Sequence, residues 1–226
     1  LLHEAGVPKD ALVLVPGAGD IGAALTSQPN LGGVCFTGST EVAKLIDKQL
    51  AKTADSDAML IAETGGLNAM IVDSTALPEQ AIRDILASSF QSAGQRCSAL
   101  RMLYVQEDVA DHVLEMLYGG LDAMQVGNPW DLATDVGPVI DAEAQKDISD
   151  YCAKLTNEGR LLKKIKAPSE GHFVEPHIFK VSGIEELERE VFGPVLHVAT
   201  FKARDINKVV DAVNAKGFGL TFGLHT

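Results

Sequence analysis

VCFTGSTEVAKLIDKQLAKTADSDAMLIAETGG, residues 34–66, is the stretch on which the fold turns. Val34, Cys35, Phe36 and Thr37 make a short apolar run that reads as a strand. Gly38 permits a tight turn, and Ser39 or Thr40 then stands where a helix wants its N-cap. A helix over about 40–54 follows, and Met59 to Glu63 form a second strand that breaks at Gly65-Gly66. Strand, helix and strand in that order are the unit from which α/β proteins with a parallel sheet are built.

The same alternation extends both ways. Upstream, residues 11–15 (ALVLV) read as a strand leading into Pro16-Gly17-Ala18-Gly19-Asp20-Ile21-Gly22. Downstream of the glycine break the pattern restarts. Pro78 takes the first position of a helix that carries Ile82, Ile85, Leu86 and Phe90 on one face. Ile148, Tyr151, Cys152 and Leu155 form a second helical stripe, and Ile206, Val209, Val210 and Val213 a third. Residues 101–105 and 195–200 read as strands between them. A domain boundary is therefore expected near Gly65-Gly66, dividing residues 1–65 from 66–226, with no linker, repeat or low-complexity segment.

The 226 residues include 19 basic and 31 acidic ones, a formal charge of −12, and no dense basic patch, which argues against a nucleic-acid binder. No apolar run approaches membrane-spanning length. Three widely spaced cysteines do not make a disulfide framework, so a reducing compartment is expected. His172 and His177 flank a proline without a cysteine or carboxylate partner at metal-ligand spacing, and no metal site is expected. The chain opens on Leu1-Leu2-His3-Glu4-Ala5-Gly6, which reads like the last turn of a helix ending in glycine. It stops at His225-Thr226 after an apolar segment, so it is expected to be a piece of a longer protein.

Several residues have the character of site groups, each with a plainer alternative. Gly17, Gly19 and Gly22 match G-x-G-x-x-G after an expected strand, where glycines let a backbone approach a pyrophosphate. A glycine turn between strand and helix needs the same residues. Gly38 and Ser39 could aim free helix N–H groups at an anion, or Ser39 could be an ordinary cap. Cys97, in GQRCS beside Arg96, has the polar surroundings and neighbouring cation that suit a thiolate nucleophile. Cys35, in a strand, and Cys152, on an apolar stripe, read as small core residues. Glu63 at a strand end before glycines could act as a general base, or be an exposed strand-end carboxylate. Glu190 and Phe192, two apart in an extended EVFGP segment, share a face. The carboxylate could take a ribose diol and the ring a nicotinamide, or they could be a strand-end Glu and a core Phe.

Taken together and in this order, PGAGDIG, FTGSTEV (36–42), ETGG (63–66), GQRCS (94–98), NPWDLATDVGPVI (128–140), EVFGPV (190–195) and GFGLT (217–221) resemble the aldehyde dehydrogenase superfamily. The resemblance implies part of a Rossmann-like NAD-binding domain followed by most of an α/β catalytic domain. It implies that Cys97 attacks an aldehyde, that hydride passes to NAD⁺, and that Glu63 activates the water that releases the acid. Gly38 and Ser39 would lie at the pyrophosphate, Gly17, Gly19 and Gly22 on the adenine side, and Thr64 and Gly65 at the nicotinamide. Glu190 would hold its ribose, Phe192 would pack nearby, and the Cys97 N–H would be half of an oxyanion hole.

Thr64, Leu67 and Ala43 depart from the family's usual Leu, Lys and Gly. The family's oxyanion Asn and ribose Lys would lie before Leu1, so this segment alone is expected to be inactive. GQRCSALR (94–101) and ETGGLNAMIVDSTALPEQ (63–80) resemble more narrowly the glutamate-semialdehyde (pyrroline-5-carboxylate) dehydrogenases of bifunctional bacterial proline-catabolic flavoproteins. In that group the Ser after the nucleophile, here Ser98, helps anchor the substrate. The likeness implies a cytoplasmic homo-oligomer acting on a small aldehyde, with FAD only in a separate proline dehydrogenase domain. It is also compatible with peripheral attachment of the whole protein to the inner membrane.

Overall fold

The computed structural model describes residues 1–226 and divides into two compact units, Leu1–Thr64 and Gly65–Thr226. In the first unit, helix α1 (Gly19–Thr26) precedes strand β1 (Gly33–Gly38), helix α2 (Thr40–Thr53) and strand β2 (Met59–Thr64). β1 and β2 pair in parallel, with Thr37 opposite Glu63 and Gly38 opposite Thr64. The strand–turn–helix–strand unit thus forms where the sequence puts it. Leu1 to Gly6 make a hydrogen-bonded turn, and Gly6 takes the left-handed conformation at φ +100.

Two expectations fail in this unit. Residues 11–15 form no strand: β1 and β2 are a two-stranded sheet, and no ladder reaches Leu12 to Val15, whose side chains are exposed. Consequently Gly17, Gly19 and Gly22 do not follow a strand; the motif is instead the start of α1, with Ala18 at the N-cap. Cys35 is exposed, not a core residue. Ala43, Ile46 and Leu50 of α2 are the buried apolar residues of the unit, so the strand face bearing Cys35 has no cover within it.

The second unit holds a six-stranded sheet in the order β5-β6-β7-β4-β3-β8. Its elements are β3 (Asn68–Val72), α3 (Pro78–Phe90), β4 (Leu100–Gln106), α4 (Ala110–Ala123), α5 (Ala142–Asn157), β5 (Leu161–Lys164), β6 (His177–Lys180), β7 (Val195–Phe201), α6 (Ile206–Ala215) and β8 (Phe222–His225). All neighbours run parallel except β5, an antiparallel edge strand beside β6. The period-2 alternation of strands sorts the core into two layers. Met70, Val72, Leu103, Val105, Leu196 and Val198 face a cluster that includes residues of α3, α4 and α5. Ala69, Ile71, Met102, Tyr104, Ala199 and Phe201 face the opposite side, where α6 contributes Val209. Every residue of β3 and β4 is buried, as expected of central strands covered on both faces. No helix is long and apolar enough to cross a membrane.

A polar chain runs into this core. The Tyr151 hydroxyl lies 2.8 Å from His197 Nε2, and His197 Nδ1 lies 2.9 Å from the Arg101 carbonyl oxygen. A carbonyl only accepts, so Nδ1 carries the proton and Nε2 accepts from Tyr151. Burial pushes the His197 pKa down from 6.5 to about 4. Between those values the unfolded chain binds a proton that the folded one refuses, so stability is full above pH 6.5 and falls toward pH 4. The shift corresponds to about 3 kcal/mol. Urea midpoints should therefore drop from pH 7.5 to pH 4.5, and His197→Gln should flatten that slope. Identical slopes in the two proteins would contradict the assignment. Burial lowers the His177 pKa in the same direction, so a residual slope is expected in the variant.

Candidate active site

Parallel neighbours set their amino ends side by side. The segments that enter β3, β4, β7 and β8 therefore meet at one edge of the second unit's sheet. They carry Gly65 and Gly66, Cys97 and Ser98, Glu190 to Pro194, and Thr221. This is the amino edge of the strands, opposite to the carboxyl edge where open α/β sheets usually bind ligands.

The Cys97 loop is reached through an uncommon backbone turn. After α3, Ser92, Ala93 and Gly94 take φ of 55°, 52° and 65° in succession. Each non-glycine residue held there costs roughly 1–2 kcal/mol. A Cβ on Gly94 would stand 2.1 Å from the Gly193 carbonyl oxygen, so this position requires glycine on two counts. Gln95 braces the turn: its amide donates to the Ser92 and Pro138 carbonyls and its oxygen accepts from the Ile140 N–H.

Beyond the turn, four successive carbonyls are tied back. Arg101 donates to the Arg96 carbonyl at 3.2 Å, and Asn68 donates to those of Cys97 and Ala99 at 2.6 and 2.8 Å. The Thr221 hydroxyl donates to the Ser98 carbonyl at 3.3 Å, while the Thr221 N–H donates to Asn68 Oδ1. The N–H groups of Cys97 and Ser98 make no hydrogen bond within the chain. The Cys97 thiol is half-buried and Ser98 is exposed. A thiol with backbone donors free beside it is an arrangement able to attack a carbonyl and stabilise the oxyanion that forms.

Arg101 is the centre of the adjoining cluster. Its side chain has no exposed surface, and its Nε and Nη2 both donate to Glu190 Oε1, at 3.2 and 3.0 Å. Nη1 donates to the Gly193 carbonyl at 3.1 Å, and the guanidinium lies 5.5 Å from the centre of the Phe192 ring. Burial pulls the Arg101 pKa below its ordinary value, opposed chiefly by the Glu190 carboxylate and also by Cys97. Glu190 Oε2 accepts from the Gly66 N–H at 3.2 Å. A Cβ on Gly65 would stand 1.8 Å from that oxygen, so Glu190 lies across a surface that only glycine leaves open. Glu190 and Phe192 do share a face, since Arg101 touches both, and the Phe192 ring is 46% exposed, not a core residue.

The model of the aldehyde dehydrogenase family matches residues 1–226. The chain belongs to the aldehyde dehydrogenase family. It is 50% identical to the bifunctional protein PutA of Klebsiella aerogenes over 238 residues, which takes in the whole chain and 18% of that protein. It is 37% identical to the 1-pyrroline-5-carboxylate dehydrogenase of Geobacillus thermodenitrificans, covering 98% of the chain and 44% of that enzyme. A solved structure of proline utilization A (PutA) with proline bound in remote sites superposes with a TM-score of 0.96 at 52% identity, over all of this chain and 23% of that one. Betaine aldehyde dehydrogenase from Staphylococcus aureus in complex with NAD⁺ gives 0.90 at 29% identity, over all of this chain and 45% of that one. The chain thus spans about a fifth of the PutA proteins it matches.

In this aldehyde dehydrogenase segment the remaining sequence-derived candidates fall in the first unit. Glu63 lies near the carboxyl end of β2, exposed, and Thr64 is half-buried. Ser39 is the N-cap of α2, its hydroxyl accepting from the Val42 N–H at 3.2 Å. The Glu41 carboxylate, held charged by its own backbone N–H and by Ser39, occupies the same first turn. Gly17 packs on Ile21 so closely that a Cβ would fall 2.4 Å from it, whereas Gly19 and Gly22 have open space around them. Gly17 alone of the three is required by a close approach. Asn68, Gln95, Arg101 and Thr221 escaped the sequence reasoning. For Arg101 the signal was its apolar neighbours Leu100, Met102 and Leu103, which mark a charge inside a buried strand.

Proposed function

We propose that the protein oxidises L-glutamate γ-semialdehyde to L-glutamate with NAD⁺, the second step of proline catabolism, through covalent intermediates on Cys97. The observation that carries the reading is the Cys97 loop itself: a half-buried thiol, its loop carbonyls tied back and two backbone N–H groups left free. The choice of substrate rests on the likeness to PutA and to 1-pyrroline-5-carboxylate dehydrogenase.

The residues present suit a nicotinamide nucleotide. Glu190 has about four acceptor positions. The hydrogen bonds from Arg101 and Gly66 occupy three, so Oε2 keeps one for a ribose hydroxyl, and release of the Gly66 N–H frees a second. The exposed Phe192 ring offers a face for the nicotinamide, which Thr64 and Gly65 would border. Gly38 and Ser39 would meet the pyrophosphate, with Gly17, Gly19 and Gly22 on the adenine side. When bound, NAD⁺ supplies the hydride acceptor. Cys97 adds to the aldehyde carbon to form a thiohemiacetal, whose oxyanion the Cys97 N–H stabilises. Oxidation leaves a thioester on the same sulfur, and Glu63 takes a proton from the water that hydrolyses it. Ser98, exposed beside the nucleophile, hydrogen-bonds the substrate's distant carboxylate.

The test is turnover by the intact protein, followed as NADH absorbance. Glutamate semialdehyde should be used with kcat/KM at least about tenfold above succinate semialdehyde, whose carboxylate lies one carbon nearer the aldehyde and which lacks the ammonium, because a hydrogen bond to a charged group lost in this way costs roughly 1.5–3 kcal/mol. Preference for succinate semialdehyde would reassign the substrate. Failure of both aldehydes to yield NADH would remove the activity.

A further inference from the structure

We propose that Arg101 is a positioning residue that locks the cofactor-holding segment, Glu190 and Phe192, in register with the Cys97 loop. The proposal rests on the reading of Glu190 as a cofactor group and adds a residue to it. A fully buried guanidinium stays charged only if its surroundings satisfy it. Here those surroundings are parts of two loops: the Glu190 carboxylate and Gly193 carbonyl on one side, the Arg96 carbonyl on the other. The planar fork reaches all three at once with fixed angles between them, and its face lies over the Phe192 ring. A lysine ammonium is a point charge and cannot reproduce that geometry.

The guanidinium itself is anchored from below. Arg101 is the bulge residue of β4, set between Leu100 and Met102, which both pair with β3, and its carbonyl is held by His197, which is held in turn by Tyr151 of α5. The scaffold therefore fixes Arg101, and Arg101 fixes Glu190. The Arg96 carbonyl on the same fork belongs to the residue just before Cys97, so the reacting sulfur and the carboxylate share one rigid reference. Misplacement of either by an ångström is enough to cost a large part of the rate.

The experiment is a double-substitution cycle in the intact protein with Arg101→Lys and Glu190→Gln. It is read by calorimetric NAD⁺ titration, by the rate of Cys97 alkylation with iodoacetamide, and by kcat and KM. Each single substitution should weaken NAD⁺ binding about tenfold, and the double should weaken it about tenfold as well, because both break the same link. Arg101→Lys should also change the Cys97 alkylation rate without cofactor, which a purely local role at Glu190 would not do. A hundredfold, additive loss in the double variant, or unchanged affinity in Arg101→Lys while Glu190→Gln is weakened, would overturn the role of Arg101 and leave that of Glu190 standing. Wild-type affinity in Glu190→Gln would overturn both. Arg101→Gln, which places no charge in the core, carries the same cycle if the buried ammonium prevents folding.

Discussion

Cys97→Ala in the intact protein should abolish NADH formation from glutamate semialdehyde, by roughly ten-thousandfold or more, while leaving NAD⁺ affinity within about twofold. The loss is large because no other thiol of the segment can take over. Cys152 is 3% exposed on α5, and burial pushes its pKa up to about 12. Cys35 lies on β1 of the other unit. Binding should survive because the groups proposed to hold the cofactor do not depend on the sulfur. The Cys97 side chain makes no hydrogen bond in the loop; the supports act on the carbonyls of residues 96–99, which alanine retains. Mass spectrometry after incubation with aldehyde and NAD⁺ provides a second readout, since only the wild type should carry an acyl adduct at position 97. Activity within tenfold of wild type, or an adduct elsewhere, would remove Cys97 from the mechanism.

Much of this architecture could be read from residue pattern, and the failures have physical causes. The strands around 101–105 and 195–200 and the helices starting at Pro78, over 148–155 and over 206–213 carried apolar periodicity long enough to recognise. β3 did not: Asn68 to Val72 is a five-residue run buried on both faces, so it has no alternation. β8, with Gly223 in its middle, gives an equally weak strand signal. α4 buries Ala110, Val113, Leu117 and Leu121 at helical spacing, a usable signal obscured by Gly119-Gly120. The strand expected over 11–15 failed because apolar composition is not pairing: a strand needs a neighbour to accept its hydrogen bonds.

The candidate site shows a similar division. Cys97, Glu190 and Phe192 stood out because their side chains carry recognisable chemistry. Asn68, Gln95 and Thr221 did not, because their work is to fix backbone carbonyls. Which carbonyls lie within reach follows from strands β3, β4 and β8 meeting at their amino ends, a property of topology. Arg101 combined both problems. As a charge at the start of a strand it resembled a solvated terminus, and its partners lie 89 and 92 residues away in sequence.

Glu63→Gln should separate the two halves of the proposed reaction. In a rapid-mixing experiment the variant is expected to release one equivalent of NADH per site at near the wild-type rate, then fall to a steady state lower by roughly a hundredfold to ten-thousandfold. Thiohemiacetal formation and oxidation need the sulfur and the oxyanion donors, neither of which is altered. Hydrolysis of the thioester needs a base for water, and a carboxamide is not one. The substitution is conservative for the fold. Residue 63 is paired through its backbone opposite Thr37, and its side chain is exposed. A lowered rate therefore cannot be ascribed to a broken strand, and an unchanged unfolding midpoint would document this directly. The acyl-enzyme should accumulate in the variant and be visible as a mass increase at Cys97. Equal reduction of burst and steady state, with no adduct, would mean that Glu63 acts before hydride transfer, as the base that prepares Cys97. An undiminished steady state would mean that another group activates the water.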